Sequence, residues 1–510
     1  MEEIDAAIAA RPTNAINYIR RARELGTGRS EEKRRSLELD SFDSFSRALE
    51  LDPSLYASIE DEYCALRESL SEDMCIFTSR VPGDAAVYDA VLWPGHGSNN
   101  VERVICATAD GNIYVFGLTC GGPPQVVLEG HEDIVTTLAL SPDGRRLLSG
   151  SLDKTVRAWD LSAIENAEVV ENADNICDST QVTDNDRGAS VRIAPTATLE
   201  GHSSRINRLR WMPCGTRAIS SSTDATLRLW DISHGVCISE MTGHGALVSS
   251  IDLSKEGTVC ASASGDAVCK LWAINHGDDT SGVDNRYIND KTKLMEDIAW
   301  ESGPVVLCRF VEYASHGEYL LTAHAQLVQQ QARILLWDIF DKETGWVDGR
   351  LRAPRYAIDD LRGCPTSMDT ARVQGGEFAG TELLACACSD GKVHVWDIDE
   401  CPVKLETFSL EEPGRAIPDD LPAWSVTHLR HASNKLNMVA FSPSGAYLAA
   451  TRSESNSVIV WDVDEGERVC QFYGHRSPIR KVLWISLYKL ISVSEDGSVR
   501  GWSLDPDRLS

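Results

Sequence analysis

Leu128-Glu129-Gly130-His131 opens a stretch that closes on Val156-Arg157-Ala158-Trp159-Asp160, and the same frame returns further on. Leu199-Glu200-Gly201-His202 leads to Leu227-Arg228-Leu229-Trp230-Asp231, and Met241-Thr242-Gly243-His244 leads to Cys269-Lys270-Leu271-Trp272. A fourth copy runs from Gly474-His475 to Trp502. Each copy holds, in order, alternating apolar residues, a turn, a strand of small residues, an Asp and a strand ending in Trp. Self-similarity at a fixed period marks a chain built from stacked supersecondary units. The units are β in character. Leu138-Ala139-Leu140, Ser141-Pro142-Asp143-Gly144 and Arg146-Leu147-Leu148 read as strand, turn, strand, with Pro presetting φ and Gly accepting a positive φ. Ser442-Pro443-Ser444-Gly445 repeats the device, and Asp110-Gly111, Asp390-Gly391 and Asp496-Gly497 read as the next turns.

On these residues the chain resembles the WD-repeat family, whose units of about 40–45 residues each form a four-stranded blade. The resemblance implies an all-β, WD-repeat β-propeller. The aromatics that close successive units are Phe116, Trp159, Trp230, Trp272, Trp337, Trp396, Trp461 and Trp502. Their gaps of 43, 71, 42, 65, 59, 65 and 41 residues are either one bare repeat or one repeat plus an insertion. That makes eight candidate blades, with seven, the number usual in the family, as the alternative. Phe116 replaces Trp in the first unit, and the fifth lacks Gly-His and carries Gln329-Gln330-Gln331 instead of a tight turn.

Ring closure follows from the same resemblance. The last unit ends on its third strand, and the run at 75–81 is an unclaimed strand that would pair with it and remove two open sheet edges. The propeller is accordingly assigned to 73–510. Residues 1–72 read as a small α-helical segment: Ala22 and Leu25, then Phe45, Ala48 and Leu49, sit at helical spacing. Leu39 to Pro53 resembles the second helix of a tetratricopeptide repeat. One copy cannot stack on neighbours, so a helical hairpin against the propeller is expected rather than a peptide groove. Four stretches, 162–197, 276–293, 340–372 and 400–430, read as insertions. The first two are polar surface loops and the last two, richer in Trp, Leu and Pro, ordered decoration.

His131, Ser149, Asp153 and Trp159 include the residue types of an acyl-transfer triad. In the WD-repeat family these types form a structural hydrogen-bonded tetrad instead. The pattern recurs with His202, Asp224 and Trp230, with His244, Asp266 and Trp272, and with His475, Asp496 and Trp502. A catalytic site occurs once and a structural device recurs, so no catalytic residue is assigned. In the seventh unit Asn456 is assigned to the Asp position. No phosphate loop, zinc helix or dinucleotide fingerprint is present, and His316, His324, His428 and His431 lack metal-ligand spacing. No cofactor or metal is expected, and the fifteen cysteines read as reduced, mostly buried small hydrophobes.

Acidic side chains number 77 against 49 basic ones, a formal net charge of −28. Phosphate backbones are repelled by such an excess, so nucleic acid is not an expected partner. No apolar run is long enough to cross a bilayer, and Met1-Glu2-Glu3-Ile4-Asp5 does not start a signal or transit peptide. A cytoplasmic or nuclear protein is expected. The function implied is a non-catalytic interaction scaffold, a subunit of a larger complex that binds proteins or peptides through propeller faces and rim loops. Arg205, Trp300 and Arg480 are the candidate contact residues on the Gly-His side. The alternative is a substrate receptor of a ubiquitin ligase or a reader of histone-tail peptides. Some ligase receptors of the family carry Arg two residues after Trp-Asp. Here those positions hold Ser162, Ser233, Phe340, Asp399 and Asp464.

Overall fold

The computed structural model describes residues 75–94, 102–118, 122–162, 164, 191–274, 292–299, 304–313, 317–326, 331–338, 340–341, 345–346, 354, 356–376, 378–389, 391–398, 403–409, 438–452, 456–466 and 468–504. The helical segment assigned to 1–72 lies outside them.

Among the described residues eight sheets form a closed ring, seven of four antiparallel strands and one, blade 1, with a fifth. Blade 1 begins with the strand Val87–Trp93, and blades 2 to 8 begin with Val135–Leu140, Ile206–Trp211, Val248–Leu253, Val305–Tyr313, Pro365–Arg372, Val439–Phe441 and Ile479–Ser486. These eight innermost strands pack on one another in cyclic order, the last against the first. In blades 1 to 7 the chain then runs outward through three more strands. Blade 8 takes its outer strand from the other end of the described chain. Cys75–Arg80 pairs antiparallel with Ser498–Ser503, and the Val81 N–H donates to the Gly497 carbonyl at 2.8 Å. Gly497 has φ of +73°, and an added Cβ would lie 2.7 Å from the carbonyl carbon of Asp84, so the closing segment demands glycine there.

The hydrophobic core is not central. It is divided into eight layers, each between two consecutive blades. Trp93, Ile105 and Ile113 of blade 1 meet Leu138, Leu147 and Trp159 of blade 2, and equivalent layers follow around the ring to the one holding Phe77, Cys106, Phe116, Ile491 and Val499. Successive side chains of a strand point to opposite faces, and both faces are covered. Val104 and Cys106 therefore pack toward blade 8 while Ile105 and Ala107 pack toward blade 2. This two-sided burial explains why the second strand of each blade reads as a continuous run of apolar and small residues, buried serines included, and not as an alternating one. The closing aromatic of each unit fills the layer shared with the preceding blade: Trp159, Trp230, Trp272, Trp337, Trp396, Trp461 and Trp502, with Phe116 doing so in blade 1.

Side chains also tie each innermost strand to the next. Thr136 donates to the Ile206 carbonyl at 2.6 Å, and Asn207 donates to that of Val248 at 2.8 Å. The carboxylate of Asp89 accepts the Leu138 N–H at 2.8 Å, and that of Asp369 accepts the Phe441 N–H at 2.8 Å. These bonds satisfy backbone groups that a free strand edge would leave unpaired.

Three of the stretches assigned as insertions, 162–197, 340–372 and 400–430, contain blade strands, while 276–293 ends where the outer strand of blade 4 begins. Val191–Ile193 lies parallel against Val126–Leu128 as a fifth strand on blade 1, and Ala197–Leu199 is the outer strand of blade 2. Lys293–Ala299, Tyr356–Arg362 and Val403–Ser409 are the outer strands of blades 4, 5 and 6, and Pro365–Arg372 opens blade 6. A short hairpin pairs Phe340–Asp341 with Gly345–Trp346. Outer strands escape notice because they pair on one side only and carry no closing Trp.

Candidate functional site

Four blades build the same hydrogen-bonded set. In blade 2 the Trp159 indole N–H donates to Ser149 Oγ at 2.8 Å, Ser149 Oγ lies 2.7 Å from His131 Nε2, and His131 Nδ1 lies 2.7 Å from Asp153 Oδ2. Blade 3 repeats this with Trp230, Ser220, His202 and Asp224 at 2.7, 2.7 and 2.8 Å. Blade 4 does so with Trp272, Ser262, His244 and Asp266 at 2.8, 2.8 and 2.9 Å. In blade 8 Trp502 and His475 meet Ser492 at 2.8 and 2.6 Å. There His475 Nδ1 sits closer to Ser498 Oγ, at 2.9 Å, than to Asp496, at 3.5 Å.

Each Asp also caps a turn. Asp153 Oδ2 accepts the Glu132 N–H and Oδ1 accepts the Thr155 N–H, so the loop carrying the His is pinned to the loop carrying the Asp. The residue after each of these Asp takes a left-handed conformation: Lys154, Ala225, Ala267 and Gly497. Burial opposes ionisation of Asp224, but hydrogen bonds from Thr226, the Ser203 N–H and His202 outweigh it and hold the carboxyl down at about 2. Burial pushes His202, His244 and His475 below the usual imidazole value, against the pull of their Asp partners. A neutral ring satisfies every group: Nδ1–H donates to the carboxylate, and Nε2 accepts the Ser hydroxyl, which itself accepts the Trp N–H.

The arrangement has the connectivity of an acyl-transfer triad but not its access. Ser149, Ser220, Ser262 and Ser492 are all 0% exposed, and each Oγ already accepts a Trp N–H. A serine nucleophile must present that lone pair to a substrate carbonyl. Ser220, Ser262 and Ser492 complete the sets that the repeat of His, Asp and Trp leaves without a serine in blades 3, 4 and 8. The available signal was their spacing, ten residues before the Trp, as for Ser149.

The other blades depart in compensated ways. In blade 1 Cys106 stands at the register position of Ser149 and Phe116 at that of Trp159, so no indole N–H needs an acceptor. In blade 5 Trp337 donates to Thr322 at 2.8 Å, and His324, from the same strand as Thr322, lies 2.9 Å from that hydroxyl. In blade 6 His394 stacks on Trp396 with ring centroids 5.6 Å apart. In blade 7 Asn456 does not take the Asp position: by register it falls one residue later, with φ of +50°, where the other blades hold the left-handed residue. His431 lies outside the described residues.

Arg205 is exposed on the rim, its Nε donating to Thr223 at 3.0 Å. Arg480 is instead engaged: it binds Glu495 and lies over the Tyr88 ring at 5.5 Å. Trp300 lies outside the described residues. Among the described residues no helix is long and apolar enough to cross a membrane.

Residues 122–160, 193–231, 235–273, 424–462 and 466–503 match the family described as "WD domain, G-beta repeat". Similar curated proteins include the "Ribosome biogenesis protein WDR12 homolog" of Drosophila persimilis, 27% identical over 30% of this chain and 34% of that protein. The "Ribosome biogenesis protein YTM1" of Coprinopsis cinerea is 28% identical over 28% of this chain and 35% of its own length. The "Mitochondrial division protein 1" of Neurospora crassa is 31% identical over 27% and 21%. The matched region spans about a third or less of these relatives. Among solved structures, the computationally designed Ika8 protein aligns with a TM-score of 0.54 at 18% identity, covering 84% of this chain and 99% of that one. The described residues form an eight-bladed β-propeller, and five segments of the chain match the WD repeat.

Proposed function

We propose that this propeller is a non-catalytic interaction scaffold within a multiprotein complex. The observation that carries the reading is the closure of all four Ser–His–Asp–Trp sets. Their serines are fully buried and their hydrogen bonds are spent inside the blade. The tetrads are structural, and the working surface is what they hold in place: two faces, a side wall and exposed rim residues such as Arg205. Two of the relatives are named for ribosome biogenesis, which supports protein partners in an assembly and a nuclear site of action over a cytoplasmic one.

Affinity purification of the tagged full-length chain from its own cells, followed by mass spectrometry, tests this. A stoichiometric set of co-purifying proteins is expected. Recovery of the chain alone and monodisperse contradicts the scaffold reading, and ligase or chromatin components in place of biogenesis factors would redirect it to a substrate receptor or a histone-tail reader.

A further inference from the structure

The wall of the central channel is charged, and one of its cations has no counter-ion among the described residues. Asp89 of blade 1, Arg208 of blade 3 and Lys481 of blade 8 occupy equivalent register positions on innermost strands, just after the irregularity near each strand's start. Two residues further along, the equivalent positions hold Arg210, Asp252, Arg309 and Asp369 on blades 3 to 6. Six of these seven pair across neighbouring blades. Lys481 Nζ lies 2.6 Å from Asp89 Oδ1, Arg210 Nε lies 3.2 Å from Asp252 Oδ1, and Arg309 Nη2 lies 2.8 Å from Asp369 Oδ1.

Arg208 is left over. Among the described residues no hydrogen bond or ion pair reaches its guanidinium, and the side chain is exposed to solvent. The acid whose charge acts on it is Asp89. Asp89 already accepts Lys481, the Ala90 N–H at 2.9 Å and the Leu138 N–H at 2.8 Å. Burial within the ring pushes the Arg208 guanidinium below its ordinary value, Asp89 pulls it up, and Arg210 pushes it down again. A solvent-exposed cation lining the channel without a counter-ion among the described residues stands ready for an anionic ligand. The planar guanidinium presents parallel N–H donors that match two oxygens of a carboxylate or phosphate.

We propose that the channel binds a small-molecule oxyanion, a carboxylate or phosphate group, on the Arg208 guanidinium. Isothermal titration of the full-length protein at low ionic strength, with citrate and with inorganic phosphate as separate probes, tests the site. One anion per chain is expected. Arg208→Met, which keeps an apolar stem, is expected to weaken binding by at least about tenfold, the loss of a charge-assisted hydrogen bond. Arg192→Met, on the outermost strand of blade 1 and away from the channel, is expected to leave binding unchanged. With no internal partner lost, Arg208→Met is also expected to melt no lower than the parent in anion-free buffer. The proposal is overturned if neither probe binds at millimolar concentration, or if Arg208→Met binds as well as the parent. It is overturned equally if Arg208→Met melts lower without anion, because Arg208 would then have a partner inside the protein.

Discussion

Replacing Ser220 by Ala removes a single oxygen from blade 3 and strands two buried groups. The Trp230 indole N–H loses its acceptor at 2.7 Å and His202 Nε2 loses its hydroxyl donor at 2.7 Å. Neither group has water to turn to, since Trp230 is 1% and His202 6% exposed. An orphaned buried donor or acceptor costs about 1–3 kcal/mol, so the substitution is expected to cost about 2–6 kcal/mol, with little contribution from lost packing. Ser233→Ala, at an exposed turn two residues past Trp230-Asp231, is the control and should stay within about 0.5 kcal/mol of the parent. Urea unfolding followed by far-UV circular dichroism reads both as shifts in midpoint at constant slope. A double-mutant cycle sharpens the test. Trp230→Phe removes the N–H that Ser220 accepts, so the double variant should cost about 1–3 kcal/mol less than the sum of the singles. Additive costs, or a Ser220→Ala variant as stable as Ser233→Ala, would show that the tetrad does not hold the blade.

Three other outcomes follow from the same geometry. Ala267 sits at φ of +69° in the turn after Asp266, a conformation that costs an L residue about 1–2 kcal/mol, while glycine gives back about 0.4–1 through the unfolded chain. Ala267→Gly is therefore expected to raise stability by about 0.5–1 kcal/mol in the same urea experiment. At Gly501 an added Cβ would fall 2.2 Å from the Phe77 ring, which is wedged in the layer between blades 8 and 1. Gly501→Ala should loosen the closing strand and speed tryptic cleavage at the exposed Arg80, and unchanged cleavage would contradict it. Stability should fall with acid in two stages. Folded His202, His244 and His475 bind protons less readily than in the unfolded chain, so stability is complete above about pH 6.5 and declines as pH drops below it. Asp224 adds a second loss between about pH 4 and its folded value of about 2, readable as melting temperature against pH.

What could be read from the residues alone follows from which features repeat. Gly-His and Trp recur because each blade solves the same problem, and the eight closing aromatics mark eight blades. The outer strands Tyr356–Arg362 and Val403–Ser409 read as decoration in the sequence because an edge strand is held on one side only and needs no Trp. Ser220, Ser262 and Ser492 are legible by their spacing from Trp, and so is Ser498, because Thr155 and Thr226 also stand two residues after the Asp with a hydroxyl near the His Nδ1. His324 and His394 sit inside strands without a preceding Gly, so nothing linked them to Trp337 or Trp396. The channel charges were invisible for a different reason: Asp89 and Lys481 lie at opposite ends of the chain and meet only when the ring closes.

A scaffold reading requires that the Ser–His–Asp sets be closed to substrate. A fluorophosphonate probe phosphonylates serines that are both activated and accessible, and mass spectrometry then locates the label. Incubated with the native full-length protein, it should leave Ser149, Ser220, Ser262 and Ser492 unlabelled, and modify none of them before the protein unfolds. Stoichiometric labelling of any one of the four in the folded chain would contradict the reading and make that blade a hydrolase site.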